Sequence, residues 1–318
     1  MTDLASPSNL ASTRVIALAG PTAVGKSELA LLLGEKIGGE IISVDSMQVY
    51  RGMDIGTAKP SAEQRRRVPH HLIDIADLNE TFDVARFVQL ANQAIAEIQA
   101  RQRVAILCGG TGLYFQALLQ GLGDAPPGDP ALRTALEATP LQQLLHELEA
   151  RDPVTFAKID RQNPRRVIRA LEVIRLTGRS FSESRAAWNA GSSASREIKT
   201  PFLVLTRDQA DLQTRINSRV DEMFRRGLVS ETSALLKHGL AQNRTASQAL
   251  GYKQVIAHLS GGGSSITETI ELVKIRTRQF AKRQLTWFRK YAGGGFLELP
   301  LSAAPQDLLL QIEERLGR

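Results

Sequence analysis

The apolar positions change period along the chain. Residues 15–19, VIALA, are continuously apolar and run into Gly20. Residues 26–37 then space Leu29, Leu32, Leu33 and Ile37 three or four apart, as on one side of a helix. EIISV at 40–44 returns to a short apolar run, and LIDI at 72–75 reads as a third. Residues 83–100 put Val84, Phe87, Val88, Ala91, Ile95 and Ile98 on one helical face. VAILC at 104–108 is another buried-strand run, followed by GGTG and a further helix. Short apolar runs alternating with helices predict βαβ units and a parallel sheet.

This alternation stops at GLGDAPPGDP, residues 121–130, a Gly/Pro linker. From about 131 to 188 only helical spacing is present, and AGSSASREIKTP at 190–201 is a second loop. FLVLT at 202–206 restores a strand, with helices at about 209–226, 229–238 and 247–259 behind it. SGGGSS at 260–265 breaks the chain before a long helix at about 267–291 and a last short strand in FLEL. The pattern predicts an α/β core interrupted by a helical insertion. Its expected divisions are a disordered lead-in at 1–13, core at 14–124, insertion at 125–200 and core again at 201–318.

Composition narrows the class. Apolar residues are 42% of the 318 and charged residues 23%, as in soluble globular proteins. No apolar run is long enough to span a bilayer. The N-terminal residues, with an early acid and no apolar stretch, do not read as a secretory signal. Cys108 is the one cysteine, which excludes an intrachain disulfide and fits a reducing compartment such as the cytoplasm. Forty Lys and Arg against thirty-three Asp and Glu leave +7, which suits an anionic partner.

Three loops carry candidate chemistry. GPTAVGKS spans Gly20, Pro21, Thr22, Ala23, Val24, Gly25, Lys26 and Ser27 and matches the phosphate-loop motif in full, between a strand and a helix. Its amides and the helix N-terminus favour phosphate oxygens, Lys26 adds a charge, and the Ser27 hydroxyl is placed to ligate Mg²⁺. This says polyphosphate or diphosphate, not kinase. SVDSMQVY ends the second strand and delivers Asp45 to the same sheet edge, as a general base, a Mg²⁺ ligand or the cap of the following turn. CGGTG at 108–112 brings two glycines that permit close approach to a ligand and Thr111, an anion donor or a helix N-cap.

With these residues in view the chain resembles the bacterial tRNA dimethylallyltransferase (isopentenyl transferase) family. The resemblance rests on GPTAVGKS (20–27), SVDSMQVYRGMDIGTAKP (43–60), PHHLID (69–74) and GGTGLYFQALLQGL (109–122). NPRRVIRALEV (163–173), LGYKQ (250–254) and KRQLTWFRK (282–290) complete it, from about residue 14 to 290. The zinc-finger extension of eukaryotic relatives has no counterpart, since one cysteine cannot build it. The resemblance implies a P-loop kinase-like fold with an inserted helical domain, the two gripping the tRNA anticodon stem-loop. It implies transfer of a dimethylallyl group from dimethylallyl diphosphate to the exocyclic amine of the adenine 3′ of the anticodon. Asp45 matches the carboxylate that takes the amine proton, Thr111 the threonine at the bridging oxygen, and Arg219 an arginine on the diphosphate. Arg215, one turn away from Arg219, is set aside on the family pattern alone.

The family's RNA contacts fall on Asp45, Ser46, Met47, Gln48, Thr111, Arg133, Arg165, Arg166 and Arg169. In the C-terminal part they fall on Gly251, Tyr252, Lys253, Lys282, Arg283, Gln284, Trp287 and Arg289. The charge pattern agrees: Leu272 to Leu297 contains no acid but holds Lys274, Arg276, Arg278, Lys282, Arg283, Arg289 and Lys290, interleaved with Trp287, Phe288 and Tyr291. Such segments hold phosphates and stack unpaired bases, although an aromatic here can equally pack inward. Arg161, Arg165, Arg166, Arg169, Arg175, Arg179 and Arg185 form a second basic set. The histidines show no metal-ligand spacing, and a monomer is expected. The rival readings are a P-loop small-molecule kinase, an adenylate isopentenyltransferase acting on free nucleotides, and a non-catalytic RNA-binding NTPase.

Overall fold

The computed structural model describes residues 15–122, 125–184, 200–262, 265–291 and 297–300, with 309, 311 and 312. The lead-in at 1–13, most of the loop at 190–201 and Arg185 lie outside the described residues. The chain divides into two compact units, Met1–Phe115 with Lys199–Arg318, and Gln116–Ile198.

The first unit is built on β1 (Val15–Ala19), β2 (Glu40–Val44), β3 (His70–His71), β4 (Ala105–Gly109), β5 (Phe202–Thr206) and β6 (Leu297–Pro300). They form one parallel sheet in the order β3-β2-β4-β1-β5-β6. Every residue of β1, β2 and β4 is buried, which explains why they are mostly apolar, with Glu40 and Ser43 of β2 the buried polar exceptions: helices cover both faces of the sheet. These are α1 (Lys26–Ile37), α2 (Ala62–Arg67), α3 (Val84–Ala100) and the start of α4 (Gly112–Gln120). The core of this unit includes Ile16, Leu18, Leu29, Leu33, Ile106, Leu203 and Leu205.

Two sequence expectations shift here. The third strand is not LIDI but His70–His71, because Leu72 and Asp74 take left-handed φ of 60° and 57°, which turns the chain out of the ladder.

The expected helix at 247–259 is a 3₁₀ turn at Ala246–Gln248 followed by a separate helix. Gly251, at φ 86°, separates them.

In the second unit the helices are α5 (Pro130–Ala138), α6 (Leu141–Arg151), α7 (Pro153–Lys158) and α8 (Pro164–Thr177), with no strand among the described residues. Pro130 and Pro153 open their helices behind the side-chain caps Asp129 and Asp152. Leu136, Leu144, Leu148, Val167, Leu171 and Ile174 make this unit's own core. Back in the first unit follow α9 (Gln209–Arg225), α10 (Leu228–Lys237), α11 (Tyr252–Leu259) and α12 (Ile266–Tyr291).

Strand order sets the site. β4 inserts between β1 and β2, and the last residues of all three are level: Ala19 pairs with Gly109, and Val44 with Gly109. The loops that leave these ends therefore meet at one edge, the usual ligand position in a parallel sheet.

Candidate active site

The phosphate loop leaves β1 through Gly20, whose φ is 151° and where a Cβ would sit 2.7 Å from the Leu205 carbonyl oxygen. Gly25, at φ 110°, begins α1. Lys26 Nζ folds back to donate to the Pro21 carbonyl (2.6 Å), and Arg215 Nε donates to the Ala23 carbonyl (3.0 Å). The Thr22 amide donates to Gln284 Oε1 (2.9 Å).

At the end of β2, Asp45 Oδ1 accepts from the amides of Met47 (2.8 Å) and Gln48 (3.3 Å). The turn-capping role is thus real, and it leaves the other carboxylate oxygen for chemistry. The Ser46 amide donates to Thr111 Oγ1 (3.2 Å), and the Thr111 amide to the Val44 carbonyl (3.2 Å). The Thr111 hydroxyl accepts in this bond and keeps its own proton to donate.

The two glycines before Thr111 are closely approached by protein atoms. A Cβ on Gly109 would lie 2.0 Å from the Val44 oxygen, and one on Gly110 would lie 2.3 Å from Gln284 Nε2.

Between these loops lies a cavity of about 110 Å³. One part is polar, lined by Thr22, Lys26, Ser27, Asp45, Gln48 and Arg219. Ala30, Ile41, Ala58, Pro60, Ile73 and Phe280 give it an apolar part. Arg219 reaches the cavity from α9 while Arg215 is spent on the loop backbone, so the structure separates the two arginines.

The electrostatics follow from burial. Desolvation lowers Lys26 to about 8, Arg219 adding to the effect while Cys108 and Asp45 oppose it. Arg219 is itself lowered by burial and by Arg215. Burial raises Asp45 against the pull of its two amide bonds, Lys26 and Lys59. Lys26 and Arg219 form an ion pair with none of the described carboxylates, so the cavity presents cationic groups that an anion would satisfy.

The sequence points to the 52–60 loop and the His70–His71 pair as shaping the site, and Thr57, Ala58, Pro60 and His70 do line the cavity; it does not single out Ile41 and Ser43. Ile41 and Ser43 share the Asp45 face by strand alternation, a signal that could have found them. His70 lines the cavity with Nδ1 bonded to the Val68 carbonyl (2.7 Å), which puts its proton there and leaves Nε2 an acceptor. Burial lowers the ring's pKa and keeps it neutral. Lys59, its side chain 2% exposed, bridges Asp54 (2.8 Å) and Asp74 (2.5 Å) beneath the Thr57–Ala58 wall. Glu231 of α10 pins that wall by accepting from the amides of Asp54, Ile55 and Gly56.

The expected RNA contacts separate. Lys282, Arg283 and Arg289 are exposed on α12. Lys253 is also exposed and bonds Gln248 Oε1 (2.8 Å). Trp287 is half-buried, with its indole against Gly112, where a Cβ would lie 2.3 Å away. Tyr252 is buried, donates to Glu231 Oε1 (2.6 Å), and has its hydroxyl pKa pushed upward by burial and that carboxylate. Within α12, Lys274 is paired with Asp221 (2.8 Å) and Arg278 donates to Asn217 Oδ1 (2.6 Å). In the helical unit Arg165 and Arg166 are exposed, whereas Arg133 and Arg169 each lie 2.6 Å from the fully buried carboxylate of Glu172.

The family model of IPP transferase matches residues 48–291. The chain is 47% identical over 292 residues to a tRNA dimethylallyltransferase of Geobacter metallireducens, covering 91% of this chain and 93% of that one. The chain belongs to the IPP transferase family. It is also 46% identical over 281 residues to the tRNA dimethylallyltransferase of Geobacillus kaustophilus, covering 87% of each. Among solved structures, the tRNA isopentenylpyrophosphate transferase of Bacillus halodurans matches with a TM-score of 0.68 and 39% identity over 96% of both chains. A eukaryotic dimethylallyltransferase acting on tRNA matches with a TM-score of 0.79 and 30% identity, over 96% of this chain and 80% of that one. The family model begins after the phosphate loop, so for this IPP transferase the 20–27 segment rests on the whole-chain matches and on its own geometry.

Proposed function

We propose that the protein transfers the dimethylallyl group of dimethylallyl diphosphate to N6 of the adenine 3′ of the tRNA anticodon, releasing diphosphate. The observation that carries this is one cavity joining unpaired cations, a lone carboxylate and an apolar wall. In the step, the allylic C1–O bond breaks, the N6–C1 bond forms, and the N6 proton passes to Asp45. Lys26, Arg219 and the loop amides stabilise the charge gathering on the departing diphosphate, usually the largest catalytic contribution. The Thr111 hydroxyl is free to donate to the bridging oxygen. Asp45 is held in place by the amides of Met47 and Gln48, and burial raises its affinity for a proton above that of an ordinary aspartate, which suits it to take the one N6 releases.

Mg²⁺ fits this site on the chemistry of its donors. Ser27 presents an exposed hydroxyl at the start of α1. Among the described residues no group of three or more His, Cys, Asp and Glu could hold a metal. The ion would therefore take most of its oxygens from the diphosphate, as Mg²⁺ commonly does. Bound there it would neutralise part of the leaving group's charge.

The acceptor is read as RNA because Lys282, Arg283, Arg289, Arg165 and Arg166 are exposed and suited to phosphates. The enzyme is taken as a cytoplasmic monomer, and none of the described helices is long and apolar enough to cross a membrane.

The test is a transfer assay with Mg²⁺ and labelled dimethylallyl diphosphate, offering an anticodon stem-loop RNA and, separately, AMP. Label in the RNA alone is expected. Label in AMP would move the protein to a free-nucleotide enzyme. Label in neither, with ATP hydrolysed, would return the loop to a kinase or NTPase role.

A further inference from the structure

Gln284 stands among exposed basic residues on α12, and by position it reads as one more RNA contact. Its side chain is turned the other way. The residue is 8% exposed and lines the cavity. Its Oε1 accepts from the Thr22 amide of the phosphate loop (2.9 Å), and its Nε2 donates to the Gly110 carbonyl of the β4–α4 turn (2.9 Å). One end of the amide faces a donor and the other an acceptor, so its orientation is determined by its partners. Gly110 makes room for it, since any Cβ there would meet Nε2 at 2.3 Å.

The loop it holds is costly to keep in shape. Gly20, Ala23 and Gly25 all have positive φ, at 151°, 64° and 110°. Among these residues Ala23 has a side chain in the left-handed region, which persists only where the surroundings enforce it. A loop held in its bound form before the ligand arrives loses less entropy on binding. We propose that Gln284 is a positioning residue for the diphosphate rather than an RNA contact. It ties the phosphate loop to the turn that carries Thr111, and so presets the distance between the two halves of the anion site. This rests on the diphosphate reading of the loop given above.

The test measures inorganic pyrophosphate binding by calorimetry with Mg²⁺, and stem-loop RNA binding by anisotropy without pyrophosphate, on the full chain. Gln284→Met preserves length and packing but removes both hydrogen bonds. It is expected to weaken pyrophosphate about 10-fold while RNA affinity stays within about 2-fold, and to raise KM for dimethylallyl diphosphate more than it lowers kcat.

Gly110→Ala gives a second variant, because its closest clash is with the side-chain end of Gln284 (2.3 Å), the Gly20 carbonyl oxygen lying farther off at 3.3 Å. It should weaken pyrophosphate in the same direction, and Gly110→Ala with Gln284→Ala should fall short of the sum of the Gly110→Ala and Gln284→Ala single variants, since the methyl then fills vacated space. Unchanged pyrophosphate affinity in Gln284→Met overturns the inference, as does a loss confined to RNA. Failure of the unaltered protein to bind pyrophosphate would instead overturn the diphosphate reading, and this inference with it.

Discussion

Two cations of the α/β unit and three of the helical unit are held in opposite ways. In the α/β unit, Lys26 and Arg219 face the cavity with no carboxylate partner among the described residues, and burial lowers both. In the helical unit, Arg133 and Arg169 close on the buried carboxylate of Glu172, and Arg175 makes a two-pronged pair with Glu147 (3.0 and 2.5 Å). A desolvated cation without a partner is an expense the fold tolerates for binding an anion. A paired arginine is already satisfied and holds helices together. Arg133 and Arg169 keep partial exposure, so one carboxylate between two guanidiniums still leaves positive charge at the surface. Equal-looking basic residues in the sequence are thus unequal in what they can still bind.

The sharpest break of this contrast is at the one carboxylate facing the unpaired cations. Asp45→Ala should lower turnover at least ~100-fold while stem-loop binding persists; near-normal turnover would remove its role as base. In the unaltered protein kcat/KM should fall as pH drops, through a midpoint above the ordinary Asp value of 3.8, because the raised group protonates earlier. A midpoint at or below that value would contradict the buried setting.

Next in size, Arg219→Ala should cost about 10²- to 10³-fold in turnover. Its melting temperature should stay level or rise, since a half-buried charge with no carboxylate partner among the described residues is removed. A large loss of stability would show that Arg219 is structural after all.

Glu172→Gln works on the opposite kind of cation. It strands two guanidiniums and should destabilise the protein by about 2 kcal/mol in a denaturant titration. This is less than a fully buried pair would lose, because both arginines reach solvent. No change would mean that the pairing carries no stability.

The smallest effect is expected from Arg165→Ala with Arg166→Ala. RNA affinity should drop several-fold and the slope of log affinity against log salt should shrink by about 1 to 2. An unchanged slope would take both residues off the RNA.

Much of the fold was legible because its signals are local. β1, β2 and β5 match their expected runs to the residue, since strands buried on both faces are mostly apolar. The third strand was misplaced because no local rule announces that Leu72 and Asp74 will turn left-handed. The helix at 252–259 was drawn too long for the same reason: LGY looked helical, and Gly251 was free to break it.

Around the site, motif residues were legible and their partners were not. The phosphate loop, Asp45 and Thr111 each carry a pattern of neighbours along the chain. Lys59, Glu231 and Gln284 act on residues as much as 262 positions away, and such pairings leave no trace in local spacing.

What the sequence determined by itself is therefore the material that depends on near neighbours: the strand–helix alternation, the phosphate loop, and the resemblance that named the chemistry. The tertiary structure decided which charges remain available. Whether a lysine or arginine is spent on a glutamate or left facing a cavity depends on burial and on atoms within about 4 Å in space. That is why Arg215 grips the loop backbone while Arg219 faces the cavity, one helical turn apart on the same helix.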